Sequence, residues 1–187
     1  AAEANYQMFC GSLQPLLTDN PGAMEKLNDI RDKFTKVMNQ KMETMWAKKL
    51  GLINYDPSLV TEMLQLMVDT KVDYTIFFRK LSNIPNTLKD LKESFYQPSS
   101  EQIDIKWKSW LKRWRERIND NGGQTEISRG MKQINPKYTW REWLITPAYE
   151  NAEIGDYGLI KEIQDILESP YKEQSLEVQE KYDRLKP

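Results

Sequence analysis

Between Ser100 and Asn119 the sequence sets Ile103, Trp107, Trp110, Leu111, Trp114 and Ile118 along one line of an α-helix. At about 100° per residue, these side chains fall within roughly 60° of a common direction. Indole rings at that spacing demand a large apolar partner surface, so the chain has to fold further amphipathic segments around them. Lys106, Lys108, Lys112, Arg113, Arg115 and Arg117 flank this line or lie opposite it. A basic stretch interleaved with aromatic residues also suits a nucleic-acid surface. The register instead makes the tryptophans core, with the Lys and Arg stems covering its edges.

The rest of the chain reads as helices punctuated by cap signals. Tyr6, Phe9, Leu13, Leu16 and Leu17 give a first helix from about Ala2 to Leu17, which Pro15 kinks or ends early. Asn20-Pro21 opens a long second helix carrying Met24, Leu27, Ile30, Phe34, Val37, Met38, Met42, Met45, Trp46 and Leu50, closed by Gly51 in the left-handed region. Asp56-Pro57 repeats the start signal ahead of Leu59, Val60, Met63, Leu64 and Met67. A short helix runs from the Asp73 region to Leu81, and a brief one follows Pro85 through Leu88, Leu91 and Phe95. Ser100 caps the Trp helix, which ends at Asn121-Gly122-Gly123.

Beyond it, Thr125-Glu126-Ile127 starts a short helix that stops before Asn135-Pro136. Tyr138 to Leu144 reads as another, with Pro147 kinking or restarting it. Leu159, Ile160, Ile163, Ile166 and Leu167 mark one buried face before Pro170. Past Lys172 the polar sequence predicts a loosely held end. With no repeat, linker or low-complexity segment, residues 1–187 read as a single helical region. Leu50-Gly51-Leu52 and the run Asp73 to Arg79 join the long helix to its apolar centre.

Composition removes whole classes of mechanism. The sequence holds no His and one Cys, so an internal disulfide, a Cys-rich zinc site and a His general base are excluded. A formal charge of -1 offers no global field for a polyanion, which argues against a nucleic-acid partner. No apolar run approaches the ~18 residues of a membrane span, and there is no signal-peptide layout at the start, so a soluble chain without a membrane partner is expected. The chain opens at Ala1 inside a helical pattern, which suggests a piece of a longer protein.

Chemistry is hard to find in the residues themselves. Gly122-Gly123 and Gly155 match neither a P-loop nor a dinucleotide pattern. Cys10 lacks a base and reads as a packed thiol. Glu25, Asp29 and Asp32 lie on an exposed helix face, where they balance lysines. Asp73, Thr75 and Arg79 are polar groups inside an apolar segment and need partners: Asp73 or Thr75 to cap the short helix, Arg79 to meet a carboxylate. Asn135, Lys137 and Arg141 pin a turn or face a partner. No residue is assigned a catalytic, cofactor-binding or metal-binding role.

A resemblance adds to this reading. Lys48-Lys49-Leu50-Gly51-Leu52, Leu64-Gln65-Leu66-Met67, Asp73-Tyr74-Thr75 with Phe78-Arg79-Lys80-Leu81, Asn135-Pro136-Lys137-Tyr138 with Arg141, Gly155-Asp156-Tyr157 and Ser169-Pro170-Tyr171 follow one another as in the C-terminal part of the selenoprotein O family. The match extends over about four fifths of the chain. Thr139-Trp140-Arg141-Glu142-Trp143 is less aliphatic than the family pattern and the Trp-rich stretch is not matched to it, departures that leave the subfamily open, with a fungal or other eukaryotic branch as the reading.

The resemblance implies an all-α, multi-helix C-terminal region of a protein-kinase-like (pseudokinase) fold, without the nucleotide-binding core. Family members bind ATP in reverse and pass AMP to hydroxyl groups of proteins, with Mg or Mn. The residues for that chemistry lie upstream of Ala1, and a redox-active Cys or selenocysteine follows Pro187 in many relatives. The implied role here is support of the core, with that core and the parent's protein substrates as partners, no cofactor of its own, and a mitochondrial setting if eukaryotic, otherwise cytoplasmic. The rival reading is a stand-alone helical protein-interaction module that binds acidic partners through the basic flanks of the Trp helix.

Overall fold

In the computed structural model, which describes residues 1–119 and 122–186, the regular elements are helical. Among the described residues β pairing is confined to a bridge between Val72 and Phe95. The protein is all-α. Its chain divides into two compact units, Ala1–Met45 and Trp46–Pro187.

The first unit holds α1 (Ala2–Leu13), a 3-10 turn (Gln14–Leu17) and most of α2 (Pro21–Lys49). Helix α1 changes to the tighter turn at Gln14-Pro15, because proline lacks the N–H that an α-helix would use there. Asn20 caps α2 through its side-chain oxygen, which accepts from the Ala23 N–H at 3.0 Å. Tyr6 stacks on Phe34 with ring centroids 4.3 Å apart, and Thr35 donates to Glu3 at 2.7 Å. Cys10 is buried, as its reading as a packed thiol requires. Asp29 pairs with Lys33 and Asp32 with Arg31 on the outer face.

The second unit begins with the last turn of α2. There the Leu52 N–H bonds the Ala47 carbonyl and the Gly51 N–H bonds that of Lys48, a paired closure that needs the φ of +67° found at Gly51. Helix α3 (Pro57–Thr70) is capped by Asp56, whose carboxylate accepts from the Leu59 N–H. Helix α4 (Tyr74–Leu81) is capped by Asp73 rather than Thr75. A 3-10 stretch (Leu88–Ser94) closed by Thr87 and Asp90 leads to α5 (Glu101–Asn119) and then α6 (Gln124–Ile134). Asn121, read as part of the stop signal for α5, lies outside the described residues; its neighbour Gly122 has φ +112°.

These elements close around the tryptophan line. Trp107, Trp110 and Trp114 are all at 0% exposure. Each contributes about 4–6 kcal/mol by area before chain entropy is set against it. Trp110 donates its indole N–H to the Leu59 carbonyl and Trp114 to that of Leu50, both at 2.8 Å. The Trp helix thereby fastens to the start of α3 and to the end of α2. The aromatic rings of this stretch are core, as the register requires, and present no surface on which a base could stack.

A smaller cluster of Tyr138, Ala148, Ile163, Ile166 and Tyr182 joins α7 (Glu142–Glu153), α8 (Gly158–Glu168) and α9 (Leu176–Tyr182). Two expectations are corrected here. The helix expected from Tyr138 starts instead at Glu142, because the Lys137 and Tyr138 N–H groups both bond the Pro170 carbonyl and hold the chain extended. Pro147 lies inside α7. The end past Lys172 is not loose: Ser175 caps α9, Tyr182 is buried, and Glu173, Gln179 and Asp183 serve as partners for the buried cations Arg79 and Lys137. No helix among the described residues is long and apolar enough to cross a membrane.

Candidate functional site

The polar residues singled out in the apolar segments converge on one buried network in the second unit. Asp73 sits at the start of α4, where one carboxylate oxygen accepts from the Ile76 N–H at 3.0 Å. The same carboxylate receives the fork of Arg141, Nη1 to Oδ2 at 2.9 Å and Nη2 to Oδ1 at 3.1 Å, and the hydroxyl of Tyr96 at 3.0 Å. Both ion-pair partners are nearly buried. Thr75 lies 3.2 Å from Thr139, hydroxyl to hydroxyl, one turn from that pair.

Arg79, on the next turn of α4, spreads its guanidinium over the Lys132 and Asn135 carbonyls, the Tyr171 carbonyl and the Glu173 carboxylate. The carboxylate sought for Arg79 therefore comes from the C-terminal segment. Glu173 also accepts from Lys137, whose ammonium reaches Gln179 at 2.7 Å and Asp183 at 3.4 Å. Burial pushes the Glu173 carboxyl up, but its bonds to Lys137 and Arg79 outweigh this and hold it below the usual carboxylate range.

Asn135 is fully buried at the junction of these parts. Its amide donates to the Lys49 carbonyl at 2.8 Å and to the Ser82 hydroxyl at 3.0 Å, while its oxygen accepts from the Lys49 ammonium at 2.9 Å. That ammonium lies 4.2 Å from the centre of the Phe78 ring and 5.1 Å from that of Tyr74. Burial lowers the Lys49 pKa to about 8. The ring faces act in the opposite sense, favouring the charged form.

The structure thus brings together Asp73, Thr75, Arg79, Asn135, Lys137 and Arg141, and each is engaged by another part of the chain. Arg79 and Lys137 are occupied by Glu173 and Asp183, so neither presents a free charge to a nucleotide phosphate. Among the described residues no three of Cys, Asp or Glu gather as metal ligands. The residues of this region do not fit ATP or its metal ion. What the arrangement can do is mechanical: it locks α4, the α6–α7 turn and the C-terminal segment into one geometry.

Sequence reading missed Lys49, Glu173, Gln179 and Asp183. The available signal was a deficit, because two inward cations on α4 and after Asn135 lacked a counter-charge earlier in the chain.

With this geometry in hand, the comparisons assign the class. The model of the family described as protein adenylyltransferase SelO matches residues 1–168. The chain belongs to that family. It is 29% identical over 183 residues to the protein nucleotidyltransferase YdiU of Aromatoleum aromaticum, covering 92% of this chain and 34% of that protein. The YdiU of Flavobacterium johnsoniae is 30% identical over 186 residues, covering 92% and 35%, and that of an Exiguobacterium species 33% over 172 residues, covering 89% and 34%. The chain spans about a third of the length of these curated relatives.

Proposed function

We propose that this chain is the C-terminal helical part of a protein adenylyltransferase, an enzyme that moves AMP from ATP to hydroxyl side chains of proteins. In this reading the nucleotide, with Mg or Mn, is held by a kinase-like core outside residues 1–187, and the helical region supports that core and carries no catalytic residue. Its partners are that core and the protein substrates of the parent. A eukaryotic, fungal and mitochondrial setting belongs to the same proposal and rests on the resemblance alone.

The observation that carries the reading is the family match over residues 1–168, which takes in every residue of the buried network before Ser169. The geometry supports a scaffold role, since the motif residues are engaged within the chain. The test incubates the full-length protein and residues 1–187 separately with Mg or Mn and ATP labelled at the alpha or the gamma phosphate. The expected result is protein label from the alpha position alone, given by the full-length protein and absent with residues 1–187. Gamma label would indicate ordinary kinase chemistry, and no label from the full-length protein would favour the interaction module.

A further inference from the structure

Five of the six basic residues of α5 divide into two sets. Arg113 pairs with Glu62, Arg117 with Asp56, and Arg115 donates to the Ile84 and Pro85 carbonyls at 3.0 and 2.8 Å. Lys108 and Lys112 stand apart from these anchors on the wall of an open groove of about 530 Å³. The opposite wall is Asn86-Thr87-Leu88, and Leu111 closes the floor. Lys112 is 79% exposed and only 4.0 Å from Glu116, a loose pair that an incoming carboxylate can replace.

A second observation marks the groove as built. Ile84 has φ +53°, a conformation that β-branched residues avoid, and it precedes a proline, which further disfavours compact backbone. Such strain persists only where the surroundings over-determine it. Here the Arg115 guanidinium holds both carbonyls of the strained turn and so fixes the wall that faces the two lysines.

We propose that this groove docks an acidic segment of a protein substrate, its carboxylates on Lys108 and Lys112 and an apolar side chain against Leu111 and the lysine stems. The occupant follows from charge: Lys108, Lys112 and Arg115 outnumber Glu116 among the charged groove residues, while the whole chain carries -1 and offers no general polyanion field. The identity of the occupant as a substrate rests on the adenylyltransferase reading, whose serine, threonine or tyrosine acceptor would be carried by the docked protein.

The test uses the full-length protein and a short fluorescein-labelled peptide of repeated Glu-Leu-Ser units, with fluorescence anisotropy for binding and alpha-labelled ATP for transfer to the peptide serines. Lys108→Glu with Lys112→Glu weakens binding by about ten-fold, whereas Lys106→Glu with Lys172→Glu, equal in net charge and outside the groove, changes it by less than about two-fold. A Gln-Leu-Ser peptide binds no more tightly than background. Equal effects of the two charge-reversed pairs, equal binding of the Gln peptide, or heparin displacing the peptide as readily from the groove variant as from the parent would overturn the docking site. Peptide binding with the expected mutant pattern but no alpha-label transfer to any protein would leave the groove standing and sink the enzymatic reading. Transfer without groove-dependent binding would do the reverse.

Discussion

Asp73 and Arg141 meet fork to fork across an interval of 68 residues, with both side chains almost wholly withdrawn from water. The carboxylate cannot be left alone at that depth. Arg141→Met strands it and costs about 3–5 kcal/mol of stability. Arg141→Lys restores charge but not the second hydrogen bond, and recovers only part of the loss. Urea unfolding midpoints of the two variants measure the difference; equal midpoints for Met and Lys would show that the fork geometry contributes nothing.

Gly51 combines a positive φ with close approach of α6. An added Cβ would lie 2.7 Å from Ile127 Cγ2 and 2.8 Å from Met131 Sδ. Gly51→Ala is expected to cost about 2–4 kcal/mol, the sum of backbone and overpacking terms. Gly155 has φ +86° in open space, so Gly155→Ala costs only about 1 kcal/mol. Thermal unfolding of the pair separates conformation from contact.

The tryptophans of α5 are not equivalent. Trp110 bonds the Leu59 carbonyl, whereas among the described residues Trp107 Nε1 has no hydrogen-bond partner. Trp110→Phe therefore loses a buried hydrogen bond that Trp107→Phe does not, while the Leu59 carbonyl keeps its place in the α3 ladder, and it costs about 0.5–1.5 kcal/mol more than Trp107→Phe. Chemical denaturation of both single variants provides the comparison.

Lys49 gives stability a dependence on alkaline pH. Its folded pKa of about 8 lies below the ordinary 10.5, so between those values the unfolded chain binds more protons than the folded one. The contribution of this group to stability rises with pH across that window and is flat below it. Unfolding free energies of the wild type and Lys49→Met, measured from pH 7 to 10, should differ in slope, the variant lacking this component of the rise. Parallel curves would show that the ring faces of Phe78 and Tyr74 cancel the effect of burial.

Glu173 acts at the acid end. Its folded pKa is held below the ordinary 4.5, so the stability that it contributes is present above that value and is lost as pH falls through the folded pKa. Glu173→Gln should remove part of the acid limb and raise amide exchange over residues 171–184. Unchanged exchange there would show that Tyr182 and the apolar cluster alone hold the segment.

Much of the helical framework was legible because its signals are local. Asn20-Pro21, Asp56-Pro57, Gly51 and Ser100 announce helix ends within a few residues, and the 3.6-residue period places the tryptophans inside. The network was only half legible. Asp73, Arg79, Asn135, Lys137 and Arg141 stand out as polar groups in apolar surroundings, but their partners lie tens of residues away, where sequence spacing carries no information. Glu173 is also 58% exposed, so it looks like any surface glutamate until Arg79 and Lys137 are placed beside it. The start of α7 was misjudged for the same reason, since the Pro170 carbonyl that keeps Lys137 and Tyr138 extended comes from farther along the chain. Strain at Ile84 has no sequence signature beyond the proline after it.

The pairing of Arg79 and Lys137 with Glu173 has a consequence for biosynthesis. A ribosome delivers both cations to the folding chain well before it delivers Glu173 and Asp183, the carboxylates that neutralise them. Until Glu173 emerges, closing α4 against the α6–α7 turn would bury uncompensated positive charge, and a chain halted short of it meets that cost permanently. Native packing of this region is therefore a late event in translation.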